Sequence, residues 1–345
     1  MLLAAARCLG KELARLRTDE DDPERVREAT RDVISHCIYG VDKNPLAVDL
    51  CRVALWLESH TPGKPLTFLD HRIRCGDSLV GVFDLAVLKN GIPDKAFDPC
   101  EGDDKTAARA ASRQNKEERL GAQDLFAVRD SLQAETLIHL SRQLDAIPDD
   151  SPELIRRKKA LFDDSHRDPD WLRQKQACDL WTAAFFQNLV SGESRMTNGG
   201  NSAASRSPII TTAPLADHLA GGPIDSRLLG SAFALSSRQP FFHWPLEFPE
   251  VFAPASSELR IATGGDTAAS DHSLSATHHS PGFDVILSNP PWEQLQFDDR
   301  EFFAKTAPAI AAAENMANRK KMIEVLKVRD PHLYSQYLSS RHAND

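Results

Sequence analysis

Two adjacent prolines close an apolar run late in the chain: Phe283-Asp284-Val285-Ile286-Leu287-Ser288-Asn289-Pro290-Pro291-Trp292. Three consecutive apolar residues, two of them β-branched, predict a short strand buried on both faces of a parallel sheet. Neither proline can donate to a sheet ladder, so the strand must stop before them. In open α/β sheets the carboxyl ends of the strands are where ligands bind. What stands there is an amide, two rigid carbonyls and an indole.

Asn289-Pro290-Pro291-Trp292 suits recognition of an exocyclic amino group on a flat ring. The Asn289 side-chain oxygen can accept one N–H, and the Pro290 carbonyl, between two fixed φ angles, can accept the other. Trp292 offers a stacking face worth roughly 1–3 kcal/mol per base. Two acceptors draw the amino lone pair out of conjugation and make a poor nucleophile able to attack an activated methyl group. The competing reading is a strand-ending turn with Trp292 as core filler.

Earlier in the chain, strands and helices alternate. Leu2, Leu3, Ala6, Leu9, Leu13 and Leu16 fall at helical steps over 2–17. A second helix is expected from Pro23 to Val33, then a strand from His36 to Asp42. Asn44 and Pro45 read as cap and first residue of a third helix, whose buried stripe is expected to be Leu46, Leu50, Val53, Ala54 and Leu57. A strand from His71 to Cys75 follows, with a turn at Gly76-Asp77-Ser78. This order argues for a parallel α/β sheet.

From about Asn90 the pattern changes. Residues 107–146 and 152–190 are charged and helical in period, and predict a hairpin folded at Pro148-Asp149-Asp150. Its expected contacts run from Leu132, Leu137, Leu140, Leu144 and Ile147 to Leu154, Ile155, Leu161, Leu180, Trp181 and Phe185. Residues 191–237 and 254–282 are rich in Ser, Ala, Gly, Thr and His and read as loop or partly disordered. Phe302 to Val328 reads as helix again. The expected division is a cofactor-side part (1–89), a helical insertion (90–240) and a part carrying the Asn289 motif (241–345).

Composition narrows the class. The chain has 345 residues, 41% hydrophobic, with 41 Lys and Arg against 50 Asp and Glu, a net charge of −9. That is the wrong sign for a protein whose whole surface grips DNA, although a local basic cleft suffices. No run approaches a membrane span, so no membrane partner is expected. The six cysteines form no C-x-x-C pair, which indicates neither zinc nor redox chemistry; reduced thiols in a cytoplasmic protein are the plain reading.

The Asn289 motif resembles that of the N6-adenine DNA methyltransferases. Four further words narrow the resemblance: Ile38-Tyr39-Gly40-Val41-Asp42-Lys43-Asn44-Pro45, Ala54-Leu55-Trp56-Leu57-Glu58, Cys75-Gly76-Asp77-Ser78-Leu79, and His243-Trp244-Pro245-Leu246-Glu247-Phe248-Pro249-Glu250-Val251-Phe252. Together they are similar to the large adenine methylases of combined, type IIG-like (gamma-class) restriction–modification systems, over roughly 1–89 and 240–330.

The resemblance implies a Rossmann-like core that binds S-adenosyl-L-methionine and methylates adenine N6 in double-stranded DNA, the base being flipped out of the stack. Asn289, Pro290, Pro291 and Trp292 would hold that base. An acidic residue at a strand end takes ribose hydroxyls in nucleotide-binding folds, which points to Asp42; its competing reading is local capping of the Asn44 helix. Asp77 would accept from the cofactor's adenine amino group, or merely close a turn, and Ser78 would line the same pocket. Asp284 resembles the family's strand aspartate, with a structural role as open as a functional one, and Glu293 reads as a helix-start charge.

The segment His243 to Phe252 is expected to pack the insertion against the sheet. Asp94 with Asp103-Asp104-Lys105 imitates a nuclease metal motif without a strand to carry it. His278-His279 sits in a loop segment, and Arg156-Arg157-Lys158-Lys159 reads as a solvated face.

The family's glycine-rich cofactor loop has no counterpart beside a strand here, and Met1 to Ala6 is similar to the helix that follows that loop. An incomplete core is therefore expected, inactive in isolation, with flanking methylase parts or a restriction subunit as partners. Alternatives are a protein-glutamine or RNA-base methyltransferase, or a non-catalytic piece of an assembly.

Overall fold

The computed structural model describes residues 1–17, 22–100, 103–121, 130–189, 208–252, 282–288 and 297–342. Helices α1 (Leu2–Arg17) and α2 (Pro23–His36) pack against each other. They approach closely at Gly10, where a Cβ would fall 2.2 Å from the Thr30 hydroxyl. The chain then enters β1 (Gly40–Asp42), α3 (Pro45–Glu58) and β2 (Ile73–Cys75). The expected strands are thus shorter at their starts, because α2 runs on to His36. Asn44 caps α3 as expected, its side chain accepting from the Leu46 N–H at 3.0 Å.

β1 and β2 pair in parallel, with Gly40 opposite Ile73 and Asp42 opposite Cys75. A parallel bridge from Asp77 to Phe241 continues the sheet by one contact. The described residues therefore hold a single βαβ unit in a mostly helical chain, where an incomplete Rossmann-like core with a further strand at 285–287 was expected. Val285, Ile286 and Leu287 are not a strand: they are 72%, 80% and 52% exposed. A strand needs a neighbour for its ladder, and among the described residues none pairs with 285–287.

The buried face of α3 also differs from expectation. Val48 and Leu55 are buried, while Leu46, Leu50, Val53 and Leu57 are exposed. The helix is apolar nearly all round, so its stripe was ambiguous. Polar anchors decide the face: Arg52 donates to the Ile73 carbonyl at 2.6 Å and Trp56 to the Thr67 carbonyl at 2.8 Å.

Two 3-10 turns (Leu85–Asn90 and Asp94–Phe97) lead into the insertion. It contains α4 (Lys105–Gly121), α5 (Asp130–Ala146), α6 (Pro152–Ser165), α7 (Pro169–Ala183), α8 (Thr212–Leu219) and α9 (Ser226–Arg238). The expected hairpin is present as α5 and α6, but α7 to α9 enlarge it into a bundle. Within 191–237, read as loop, α8 and most of α9 are helical, because Leu215, Leu228 and Ala232 reach the core. The Ser and Ala content hid that spacing.

After α10 (Trp244–Glu247), the last described elements are α11 (Asp299–Thr306), α12 (Pro308–Ala311), α13 (Met316–Arg329) and α14 (Pro331–His342). The single helix expected from Phe302 to Val328 is broken at Pro308 and again before Met316.

Three hydrophobic cores result. One joins α1 to α3 with β2 through Ala6, Ile34, Leu55 and Ile73. The largest lies in the insertion around Ile92, Phe97, Leu180 and Leu228. The third holds α11 to α14 around Phe303 and Tyr337. Each wholly buried leucine or phenylalanine contributes about 2 kcal/mol from burial. Among the described residues, no helix is long and apolar enough to cross a membrane.

Candidate active site

The parallel pairing brings the carboxyl ends of β1 and β2 side by side. The Gly76 N–H donates to the Asp42 carbonyl at 3.0 Å, so the ladder runs one residue past β2 and delivers Asp77 next to Asp42's strand end. Asp42 is exposed; its Oδ1 accepts from the Asn44 N–H at 2.7 Å. That bond is the local capping reading, and it leaves Oδ2 without a partner among the described residues.

Asp77 is more fully engaged. Its Oδ1 accepts from the Leu79 N–H at 3.1 Å, and its Oδ2 from Lys43 Nζ at 3.1 Å and Gln239 Nε2 at 2.8 Å. Ser78 is half-buried, and its carbonyl accepts from the Trp244 indole at 3.0 Å. The result is a polar crevice: an exposed carboxylate at Asp42, and a Lys43–Asp77–Gln239 cluster beside it.

Segment 240–244 forms the crevice wall. The Asp77 N–H donates to the Pro240 carbonyl at 2.7 Å, Phe242 to Val80 at 2.8 Å and Trp244 to Val82 at 3.1 Å. Gly81 permits the approach: at φ 156°, a Cβ there would lie 2.0 Å from the Phe242 carbonyl oxygen. His243 is buried between the two halves. Its Nδ1 accepts from the Val82 N–H at 3.1 Å and its Nε2 faces Asp179 of α7 at 3.0 Å.

His243 to Phe252 thus packs the insertion against the sheet. Glu247 pairs with Arg74 of β2, and Glu250 accepts from the Tyr39 hydroxyl at 3.0 Å while bonding Ser141 of α5. Arg72 lies 4.6 Å over the Tyr39 ring and holds Asp145 of α5 at 2.6 Å. Burial pushes the Tyr39 hydroxyl well above the usual phenol range.

Phe283 is part of this wall. Its ring centroid lies 5.2 Å from Tyr39, 5.7 Å from Trp244 and 5.8 Å from Phe252. These ring contacts fix the start of the 283–292 run next to the residue that enters β1.

Of the residues singled out in the sequence, Asp42, Asp77 and Ser78 meet at one strand-end crevice. Asn289, Pro290, Pro291 and Trp292 lie outside the described residues, as do Glu293 and His278-His279. Lys43 and Gln239 were missed. Lys43 adjoins Asp42 and was within reach of sequence reasoning, whereas Gln239 lies 162 residues from Asp77 and carried no signal.

The decoys have structural employment. Asp94 pairs with Arg119 at 3.2 Å, and Asp103 and Asp104 accept from backbone N–H groups. Lys158 is buried and paired with Asp149 at 3.0 Å, so its part of the basic run is not the solvated face expected. Among the described residues, no group of three or more His, Cys, Asp or Glu is arranged to hold a metal ion.

A sequence model of the Eco57I restriction-modification methylase family matches residues 36–322. The chain belongs to this family. The matched span runs from before β1 to α13 and includes the Asn289 motif. Membership of the Eco57I restriction-modification methylases gives the chain a DNA methyltransferase role. No curated protein matches it, and no solved structure does.

Proposed function

We propose that this Eco57I-family chain is the adenine-specific part of a restriction–modification methylase, directing a methyl group from S-adenosyl-L-methionine to adenine N6 in double-stranded DNA. The observation that carries the reading is the Asp42–Asp77 crevice at the carboxyl ends of two parallel strands, with Phe283 anchored beside β1. Asn289 lies six positions beyond Phe283, and an extended chain of that length spans at most about 20 Å. The distance from Tyr39 to the end of β1 is about 10 Å by the same measure. Asn289 is therefore within reach of the crevice.

The crevice suits the nucleoside half of the cofactor. The unpartnered Asp42 oxygen is a ribose-hydroxyl acceptor, and Asp77, with Ser78 beside it, is an acceptor for an exocyclic amine once Lys43 or Gln239 yields. The cofactor supplies an activated methyl on a sulfonium. The chain's own residues do the rest. Asn289 and Pro290 would accept hydrogen bonds from the two amino N–H groups and localise the lone pair, Pro291 would fix the carbonyl of Pro290, and Trp292 would stack on the extruded base; the nitrogen gains the methyl as the sulfonium S–C bond breaks, and one amino proton passes to solvent. Extruding that base costs a few kcal/mol, repaid by stacking and the two hydrogen bonds. No covalent intermediate is needed.

No G-x-G stands beside either strand to receive the methionine end. The isolated chain is therefore expected to bind the cofactor more weakly than micromolar, and flanking methylase segments or a restriction subunit would be its partners. Micromolar binding in calorimetry would overturn that expectation.

The test of the chemistry is transfer of labelled methyl to duplex DNA at saturating cofactor, with products read by nucleoside mass spectrometry. With its partner supplied, N6-methyladenine should appear and should fall by about a hundred-fold or more in Asn289→Ala. Undiminished product from that variant removes Asn289 from its role. Labelled RNA or protein glutamine in place of DNA would move the reading to the alternative substrates.

A further inference from the structure

The chain is acidic overall, yet one helix face is not. Lys105, Arg109, Ser112, Arg113 and Lys116 of α4 fall within an arc of about 100° at helical spacing. The four cations are all exposed, and none has a carboxylate within ion-pair distance among the described residues. Their neighbour Arg119 does, holding Asp94 at 3.2 Å, and so do most arginines of the sheet side, such as Arg7 with Glu58 at 2.7 Å. Together with Phe97 and Asp98 the strip lines an open groove.

Of the acidic groups nearby, Asp98 edges the groove, Glu117 adjoins Lys116, and Asp103 precedes the helix with its carboxylate engaged by the Cys100 and Leu189 N–H groups. Glu118 is turned to the other flank, accepting from the Ala213 N–H at 2.8 Å and from Gln114 at 2.7 Å. Asp104 lies at the helix start, where it accepts from the Thr106 N–H.

The helix beneath the strip is held rigidly. Ala108 and Ala111 are buried, and Asn115 is wholly buried with both ends of its amide used. Its Nδ2 donates to the Ile92 carbonyl at 2.8 Å, and its Oδ1 accepts from the Thr212 N–H at 3.0 Å. The cations are thus presented outward on a platform that cannot roll. From Lys105 to Lys116 the strip is about 16 Å long, the length of about five base-pair steps.

We infer that this face of α4 is a docking strip for the phosphate backbone of duplex DNA. The inference rests on the methyltransferase reading for its choice of duplex and extends it to where the insertion touches the substrate. The strip supplies affinity and orientation without sequence readout, since phosphates carry none.

The experiment is fluorescence anisotropy of the full chain with a labelled duplex, titrated in salt. The comparison is the quadruple variant K105Q, R109Q, R113Q and K116Q against a control quadruple R25Q, R27Q, K320Q and K321Q, which removes the same charge elsewhere. The α4 variant should flatten the slope of log K against log salt by about 3 to 4, and the control should not. The double variant R109Q and R113Q should remove about half as much, and circular dichroism with thermal melting verifies that each variant folds.

An unchanged slope in the α4 variant overturns the inference, as does an equal loss in the control. Wild-type chain that binds no duplex also overturns it, as does tighter binding to single-stranded RNA or polyglutamate. A strip-dependent slope without any methyl transfer would strike the catalytic reading alone.

Discussion

Gly81 shows how much one missing side chain can decide. Its φ of 156° and the 2.0 Å approach of the Phe242 carbonyl to where a Cβ would sit leave no room for alanine. Gly81→Ala should destabilise the fold by about 1–3 kcal/mol, read as a lower urea midpoint, and should loosen segment 240–244 from the crevice. The strand-end positions of Asp42 and Asp77 were legible in the sequence because one stands just before a helix cap and the other just after a glycine. What the residues could not announce was their engagement. Nothing in Cys75-Gly76-Asp77 says that Lys43 and Gln239 will share one carboxylate oxygen, since those partners come from other parts of the chain.

Among the elements, the turn between α5 and α6 is the tightest fastening of the insertion. Asp149 takes Lys158 at 3.0 Å and the Phe68 N–H at 3.2 Å, and its carbonyl accepts from Arg31 at 2.8 Å. Lys158 and Asp149 side chains are only 3% and 6% exposed. Lys158→Met would leave a buried carboxylate without its cation and should cost about 3–5 kcal/mol, measured by equilibrium denaturation. The sequence placed this turn correctly from Pro148-Asp149-Asp150, because proline and paired aspartates interrupt two helical periods. It failed on α3, where apolar residues on every side gave no preferred face until Arg52 and Trp56 found backbone carbonyls. It failed too on α8 and α9, whose few leucines are diluted by Ser and Ala.

For the molecule as a whole, the join between insertion and sheet is polar, and so it is sensitive to acid. His71 is 5% exposed, and burial, with the nearby charges of Arg72 and Lys158 against the opposing pull of Asp145, brings its pKa from 6.5 down to about 4. The unfolded chain takes up this proton below about pH 6.5 and the folded chain only near 4. Stability is therefore full above the higher value and is lost as pH falls, by roughly 3 kcal/mol at the lower one. Urea midpoints at about pH 7 and about pH 4.5 should differ accordingly, and His71→Gln should shrink the difference. At this scale the sequence conveyed an α/β start and a helical insertion, whereas the return to the sheet it suggested at 285–287 is not present. The hydrogen bond between Gln239 and Asp77 spans 162 positions of chain. Closing a loop that long opposes assembly by roughly 4–5 kcal/mol of chain entropy, so non-local contacts of this kind form slowly. The helices between must condense first and shorten that path. The Gln239 end of the strand-end cluster thus exists only in a chain whose residues 162 positions apart have already met.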